Sequence, residues 1–205
     1  MIITRLYFVN PAAPESAVLE KAARCLREGG LVVFPTETFY GLGANALDRE
    51  AVMRVFEVKG RPESKPLLVL VDSVKMAESL AREIPETARD LMARYWPGPL
   101  TLVFKAVSDL PSALTAGTGT IGIRMPGHRV AWELVKATGL PITAPSANPS
   151  GASPPTTAQA VLEKLQGTVD LIIDGGPTSG GAPSTILDVS VTPPRLIRQG
   201  AVTLS

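Results

Sequence analysis

The chain of 205 residues alternates short apolar segments with amphipathic segments along almost its whole length. A short apolar run bounded by turn residues predicts a buried strand, whereas apolar residues that recur every third or fourth position predict a helix. The predicted strands are 2–9, 31–34, 67–71, 100–104, 120–126, 141–144, 171–173, 185–189 and 196–197. The predicted helices are 15–28, 48–60, 74–82, 85–95, 128–137 and 156–165. This interleaving favours an α/β fold, a single domain over residues 1–205 with helices flanking a twisted, mixed β-sheet.

Residues with known capping roles mark the ends of two predicted helices. Asp48 can accept hydrogen bonds from the first free N–H groups of the second helix, which stops near Gly60. Thr156 and Gln159 have capping-box spacing before the last helix. The segment 110–119 is small, polar and glycine-rich, and is interpreted as a loop. Residues 35–43 are interpreted as a polar, glycine-bearing loop after a strand, where open α/β sheets usually keep their sites.

The composition excludes several classes of function. Lys plus Arg (20) nearly balance Asp plus Glu (19), so nucleic acid could bind only at a local basic patch. Cys25 and His128 are the only cysteine and histidine, which excludes an internal disulfide and leaves almost no ligands for a zinc site or a Cys/His dyad. We find neither a long apolar run nor a signal-peptide pattern, and therefore expect a cytoplasmic protein without a membrane partner.

The segment Lys59-Gly60-Arg61-Pro62 is the first candidate for an anion site. Pro62 disfavours helical backbone at Arg61, and residues two apart in an extended chain project to the same side. We therefore predict that Lys59 and Arg61 form a cationic pair. Such a pair suits a polyphosphate, because arginine can hold two oxygens in one plane while lysine acts as a point charge. The alternative is a solvated turn that follows a helix.

Several other predicted strands end in loops rich in Thr, Ser, Asn, Gly and cations. Arg124 shares the polar face of its strand with Thr120 and Gly122, and could hold a carboxylate or phosphate or simply pair with a surface acid. Ser146 and Asn148 could bind a ligand after their strand or only form a turn. Taken as a set, these loops predict a concave cationic site that binds an anion such as a nucleotide.

Three further features are weaker candidates. Glu37 could act as a general base, although an acid in a loop is usually only solvated. His128 is interpreted as a helix-start residue. The glycine-rich segment 175–185 could present N–H groups to an anion, but it lacks the lysine and following helix of a P-loop, so a flexible hairpin is the default. Gly41-Leu42-Gly43 lacks the third glycine of a dinucleotide fingerprint.

Six motifs occur in order along nearly the whole chain. They are Pro35-Thr36-Glu37-Thr38-x-Tyr40-Gly41-Leu42-Gly43, Lys59-Gly60-Arg61-Pro62, Trp96-Pro97-Gly98-Pro99-Leu100-Thr101, Gly122-Ile123-Arg124-Met125-Pro126, Pro145-Ser146-Ala147-Asn148-x-Ser150-Gly151 and Pro183-Ser184-Thr185. Together they resemble the YrdC/Sua5/TsaC family, the L-threonylcarbamoyladenylate synthases. The resemblance implies a YrdC-like fold. The chain resembles the short, single-domain form of the family. Its sequence ends at Ser205, soon after the segment Arg198-Gln199-Gly200-Ala201, where longer members continue into an extra domain.

The resemblance implies a nucleotidyltransferase that makes threonylcarbamoyl-AMP and pyrophosphate from L-threonine, bicarbonate and ATP. The product would serve the N6-threonylcarbamoyl modification of adenosine 37 in tRNA, through a downstream tRNA threonylcarbamoyltransferase complex. Substrates supply the nucleophile and electrophile, so the protein mainly positions them and stabilises charge. Magnesium would arrive with ATP, because no carboxylate cluster is visible that would hold a protein-ligated metal.

By resemblance, two groups of residues line the site. Threonine would be held by Thr38, Arg124, Ser184 and the backbone at Ala144. ATP would be held by Arg61, Lys65, Thr120, Ser146, Asn148, Ser153 and Arg198, with Lys59 beside the phosphates. Two departures from the family pattern stand out. Leu70 occupies the position of a histidine found in some longer members, and the order of residues 151–155 leaves the register of the Ser153 contact open.

Two alternative functions are compatible with the sequence, and the first would use the same cationic cavity. The first is an RNA-binding or ribosome-maturation module, which the near-zero net charge and the aromatic content of 5% disfavour, because RNA binders are usually basic and stack bases on rings. The second is a carbamoyl-transfer domain that acts on carbamoyl phosphate, as in hydrogenase-maturation proteins. Those proteins resemble this chain only as one part of much longer chains.

Overall fold

The structure is a computed structural model that describes residues 2–204. The strands are β1 (Arg5–Phe8), β2 (Val32–Pro35), β3 (Tyr40–Gly43), β4 (Leu68–Leu70), β5 (Leu100–Lys105), β6 (Thr120–Arg124), β7 (Ile142–Thr143), β8 (Leu171–Asp174), β9 (Thr185–Asp188) and β10 (Arg195–Arg198). The helices are α1 (Ser16–Arg27), α2 (Arg49–Lys59), α3 (Val74–Leu80), α4 (Glu86–Tyr95), α5 (Ser112–Thr115), α6 (Arg129–Thr138) and α7 (Ala158–Leu165). Within residues 2–204, no helix combines the length and the apolar character needed to cross a membrane.

The described strands form two mixed sheets rather than the one that the sequence predicted. One has the order β1-β8-β2-β3, and the other has the order β10-β9-β5-β6-β4-β7. Thr143 of β7 links them, because its N–H donates to the Ala44 carbonyl at 2.9 Å and its hydroxyl donates to the Leu42 carbonyl at 3.0 Å. The link continues on both sides of Thr143, because the N–H groups of Ala46 and Leu42 donate to the carbonyls of Pro141 and Pro145 at 3.0 and 2.8 Å. The two prolines have no N–H group to donate in return. The predicted α/β class with mixed pairing and flanking helices is confirmed.

Two hydrophobic clusters hold the helices against the sheets. The larger includes side chains from β5, β6, α2 and α4, among them the fully buried Leu102 and Val55. The smaller joins α1 and α6 to β2 through Leu26, Leu134 and Phe34. Burial of one large apolar side chain contributes about 1.5–3 kcal/mol to the free energy of folding. The apolar faces predicted for these helices therefore supply the energy that holds them against the sheets.

The segment 40–43, which the sequence analysis assigned to a loop, is the buried strand β3. It pairs antiparallel with β2, with Gly43 opposite Val32 and Tyr40 opposite Pro35. A Cβ on Gly43 would lie 2.7 Å from Phe34 Cε1, so the glycine lets the phenylalanine ring pack directly on the strand. Glycines in a strand remove the alternating apolar pattern, which explains why the prediction was wrong.

Helix boundaries mostly follow the predicted caps. The Asp48 side chain accepts hydrogen bonds from the N–H groups of Glu50 and Ala51, as predicted. The last helix is capped by Thr157, not Thr156. The Thr157 hydroxyl accepts from the Ala160 N–H at 3.2 Å, whereas the Thr156 carbonyl accepts from the Thr178 N–H. The predicted loop 110–119 contains the one-turn helix α5, which is too short to show a helical repeat.

Candidate functional site

A cavity of about 530 Å³ opens between the edge of the four-stranded sheet and one face of the six-stranded sheet. The turn between β2 and β3 contributes Thr36 and Thr38 to its wall. The strand β6 contributes Gly122 and Arg124, while Ile121 and Ile123 point into the core. The predicted alternation of β6 is therefore confirmed. Thr120, the third residue on that face, is not among the lining residues.

Seven of the predicted site residues line this cavity. They are Thr38, Arg61, Arg124, Ala144, Ser146, Ser184 and Arg198. The four residues assigned to threonine by resemblance all belong to this group. The other five, all assigned to ATP, lie outside the lining residues. They are Lys59, Lys65, Thr120, Asn148 and Ser153.

Arg124 is the most unusual side chain of the cavity. It is only 3% exposed, and its buried Nε has no hydrogen-bond partner. The nearest carboxylate oxygen is Glu37 Oε1, 3.7 Å from Nη1, which is an ion pair but too long for a hydrogen bond. Burial lowers the pKa of Arg124, and Glu37 opposes that shift. A guanidinium stays protonated at neutral pH, so the cavity wall contains a buried cation with donors to spare.

Glu37 lies beside Arg124 but does not line the cavity. Both of its carboxylate oxygens are buried without a hydrogen-bond partner, and so is Nδ1 of His128. Burial lowers the pKa of His128, and the negative charge of Glu37 opposes this shift. This position makes Glu37 a counter-ion for Arg124 and gives no support to a general base that touches substrate. His128 directly precedes α6, as predicted for a helix-start residue.

Arg198 and Ser184 form a hydrogen-bonded group at the other side of the cavity. The Arg198 guanidinium donates from Nε and Nη2 to the Ser184 carbonyl at 3.0 and 2.7 Å, and from Nη2 to Ser184 Oγ at 3.1 Å. Ser184 Oγ also lies 3.0 Å from Thr101 Oγ1. Burial and the nearby Arg124 both lower the pKa of Arg198. Thr101 lines the cavity although the sequence analysis gave it no role, and its place at the end of the Trp-Pro-Gly-Pro-Leu-Thr motif was the only signal.

The end of α2 lies between Lys59 and Arg61, which the sequence predicted as a cationic pair. The helix runs through Lys59 and ends at Gly60, which has a left-handed φ of 56°. Lys59 is 3% exposed, and its ammonium donates to the carbonyls of Ser146 and Asn148. Arg61 reaches the cavity and donates from Nε to the Lys65 carbonyl at 3.2 Å and from Nη2 to the Pro66 carbonyl at 3.0 Å. Burial and the charge of Arg61 lower the pKa of Lys59 to about 8. The hydrogen bonds of Lys59 make it an anchor for the 146–148 loop.

The remaining residues assigned to ATP have other surroundings. The Asn148 amide donates to the carbonyls of Pro149 and Ala152 within its own loop. The Thr120 hydroxyl lies 2.8 Å from that of Thr118. Lys65 and Ser153 are exposed. Next to Ser153, Pro154 lines the cavity, so the open question of register falls between these two residues.

Leu70 lies in the core, whereas the glycine-rich loop lies at the cavity. Leu70 is fully buried in the smaller hydrophobic cluster, so its side chain does not replace the histidine contact of longer family members. The glycine-rich loop is tied to the turn after β2, because the Gly180 N–H donates to the Thr38 carbonyl at 2.8 Å. Gly181 and Pro183 of this loop line the cavity.

Comparison with known proteins assigns the chain to a family. Residues 24–200 match the Sua5/YciO/YrdC family, which is described as "Telomere recombination". The chain belongs to the Sua5/YciO/YrdC family. It is 50% identical over 183 residues to a threonylcarbamoyl-AMP synthase of Pyrococcus abyssi, a match that covers 89% of this chain and 54% of the relative. It is 47% identical over 186 residues to a threonylcarbamoyl-AMP synthase of Bacillus subtilis, covering 90% and 54% of the two chains.

A solved family structure gives the same fold. P. abyssi Sua5 complexed with L-threonine matches with a TM-score of 0.89 at 47% identity, over 98% of this chain and 57% of that one. The chain therefore spans about half the length of the curated relatives it matches. The YrdC-like fold implied by the motifs is confirmed.

Proposed function

We propose that this chain is an L-threonylcarbamoyladenylate synthase. In the reaction, the amine of L-threonine takes up CO₂ from bicarbonate to give a carbamate and water. A carbamate oxygen then attacks the α-phosphorus of ATP, the bond to the β-phosphate breaks, and pyrophosphate leaves. Support comes from the names of the relatives and from the L-threonine bound to P. abyssi Sua5.

Arg124 is the strongest structural support for an amino acid in this cavity. A buried cation with unused donors is unfavourable, because each lost hydrogen bond leaves a desolvated group. The carboxylate of an amino acid would satisfy the guanidinium in a bidentate manner. Thr38 and Ser184 line the same cavity and offer hydroxyl groups for the rest of the molecule.

Arg61 and Arg198 would hold the nucleotide at the cavity. Arg61 is partly buried and Arg198 is exposed at the rim of the cavity. A triphosphate between them would gain charge-assisted hydrogen bonds that strengthen as pyrophosphate departs. Lys59 would act through the loop of Ser146 that it anchors, not by touching the phosphates. The protein thereby supplies orientation and charge, while the substrates supply the reacting groups.

Magnesium would enter the site bound to ATP and not to protein side chains. The described lining residues include no carboxylate, and no group of three or more His, Cys, Asp or Glu in residues 2–204 could hold a metal ion. ATP phosphates would therefore be the ligands for magnesium. We infer that the product passes to a tRNA threonylcarbamoyltransferase complex in the cytoplasm.

The test is pyrophosphate release from ATP and Mg²⁺ by the purified 205-residue chain, with threonine and bicarbonate omitted in turn. We expect release to require both. Arg124→Ala should weaken threonine use and Arg61→Ala should weaken ATP use, each by about 2–4 kcal/mol, because a charged substrate group loses its partner. Arg49→Ala, at an exposed position on α2, is the matched control. Turnover within about twofold of wild type for Arg124→Ala or Arg61→Ala would refute that residue's role.

If ATP does not bind to the wild-type chain, the synthase proposal fails. Binding of RNA that weakens with salt, without threonine-dependent turnover, would instead favour the RNA-binding alternative.

A further inference from the structure

The hydroxyl groups of Thr101 and Ser184 form a buried pair at the cavity wall. Their oxygens are 3.0 Å apart, and the two residues are 2% and 3% exposed. Thr101 comes from β5 and Ser184 directly precedes β9, the neighbouring parallel strand. Both residues line the cavity. Neither the motif pattern nor the proposed reaction gives Thr101 a role.

The Thr101–Ser184 pair has hydrogen-bonding capacity left for a ligand. Arg198 can only donate, so Ser184 Oγ must accept in the bond between them. The bond between the two hydroxyls uses one of their two protons, whichever residue donates. In either arrangement one O–H donor and two acceptor lone pairs remain free. The pair therefore suits a ligand group that can both accept and donate.

The surroundings fix the direction of both hydroxyls. A Cβ on Gly122 of the adjacent strand β6 would lie 3.4 Å from Thr101 Cγ2, so the threonine methyl group packs over the glycine. That contact leaves the Thr101 hydroxyl facing Ser184. Ser184 is held in turn by Arg198 through both its carbonyl and its hydroxyl. Preorganised donors of this kind discriminate between ligands better than mobile ones.

We propose that Thr101 is a specificity-determining residue, and that the Thr101–Ser184 pair binds the side-chain hydroxyl of the amino-acid substrate. The inference rests on the proposed function. Threonine has three polar groups: the carboxylate only accepts and matches Arg124, the ammonium only donates, and the hydroxyl does both. Leu70 is buried outside the cavity and cannot supply this contact. A site built to hydrogen-bond a hydroxyl rejects an analogue without it, because its own polar groups are then left unpaired.

The experiment compares dissociation constants for L-threonine and L-2-aminobutyrate, which differ by that hydroxyl, using isothermal titration in the presence of a non-hydrolysable ATP analogue. We expect wild type to prefer threonine by about tenfold or more. Thr101→Val should abolish most of this preference by weakening threonine alone, and Thr101→Ser should retain it. Thr138→Val is the matched control, because Thr138 is buried outside the cavity and bonds the Val135 carbonyl.

Ser184→Ala provides a second test that does not require Thr101→Val to fold, and it should also reduce the preference for threonine. Equal weakening of both amino acids by Thr101→Val or Ser184→Ala would overturn the inference, because it would show a general structural effect. An unchanged preference in Thr101→Val would overturn it as well. If wild type binds neither amino acid, the proposed function fails and the inference fails with it, whereas binding of both with equal affinity refutes only the inference.

Discussion

Lys59→Met tests whether this lysine stabilises the fold or binds phosphate. The Lys59 ammonium is buried and donates to the carbonyls of Ser146 and Asn148. The Ser146 carbonyl also accepts from the Asn148 N–H at 2.9 Å, whereas no second partner is seen for the Asn148 carbonyl among the described residues. Methionine matches the length of the lysine stem and removes the donors. The variant therefore leaves one carbonyl unpaired and weakens the anchor of the loop.

The size of the effect follows from these two bonds. A hydrogen bond to a charged group contributes about 1.5–3 kcal/mol net, and removal of the buried charge recovers part of the loss. We expect the free energy of unfolding to fall by about 2–4 kcal/mol. For a domain of this size each kcal/mol shifts Tm by about 2–4 °C, so Tm should fall by about 4–16 °C.

The assay is thermal and urea unfolding of the protein without ligands, with Lys65→Met as the control. Lys65 is exposed, so its variant should unfold within about 0.5 kcal/mol of wild type. A role in phosphate binding alone predicts a different outcome, in which Lys59→Met reduces ATP use and leaves the ligand-free stability unchanged. That outcome would refute the structural reasoning.

The pH dependence of stability provides an independent check on Lys59. Burial and Arg61 lower its pKa from 10.5 to about 8 in the folded state, so between these values the unfolded chain binds more protons. The free energy of unfolding therefore rises with pH in this window. The contribution that comes from the titration of Lys59 is fully present above pH 10.5 and is lost as the pH falls to about 8. The difference in unfolding free energy between wild type and Lys59→Met should widen by up to about 1.4 kcal/mol per pH unit. A constant difference from pH 7.5 to 10 would contradict the burial of this amine.

Two predictions concern positions away from the cavity chemistry. Cys25 should react with a thiol reagent at pH 7.5 more than tenfold more slowly than free cysteine, because burial and Asp170 raise its pKa to about 11; a rate equal to that of free cysteine would contradict this. Gly43→Ala should destabilise the fold by about 1–3 kcal/mol in urea unfolding, because the new Cβ would lie 2.7 Å from Phe34 Cε1. Gly41→Ala on the same strand is the control, since its Cβ would lie 3.4 Å from the same ring and should cost clearly less.

Hydrophobic periodicity predicted the elements whose apolar residues follow one regular repeat. The buried face of α1, with Leu19, Ala22, Ala23 and Leu26, could be read directly from spacing. The strand β3 could not, because Gly41 and Gly43 contribute no apolar side chains and the strand is buried by a ring from β2. The division into two sheets depends on how Thr143 meets β3, a tertiary contact that local patterns do not contain.

The candidate site was predictable where a residue's position on a strand decided its direction. Arg124 alternates with two core isoleucines on β6, so its side chain had to leave the core face. The predicted pairing of Lys59 with Arg61 assumed an extended backbone, whereas Lys59 is the last residue of α2. The direction of its side chain depends on where the helix ends, and helix ends are the least certain feature of a sequence pattern. Thr101 was missed because its place in the Trp-Pro-Gly-Pro-Leu-Thr motif was its only signal, and its hydrogen bond to Ser184 and its contact with Gly122 exist only in the folded chain.

The three cavity arginines differ in what their guanidinium groups already bind. Arg61 and Arg198 each donate to backbone carbonyls, so their positions are set before any ligand arrives. The Nε of Arg124 has no such partner, and Glu37 compensates its charge without a hydrogen bond. Fixed arginines suit a polyanion with many equivalent oxygens, because the ligand can adapt to them. An arginine with free donors suits one planar carboxylate that must be held in a single orientation. This difference supports the proposed arrangement, with the nucleotide at Arg61 and Arg198 and the amino-acid carboxylate at Arg124.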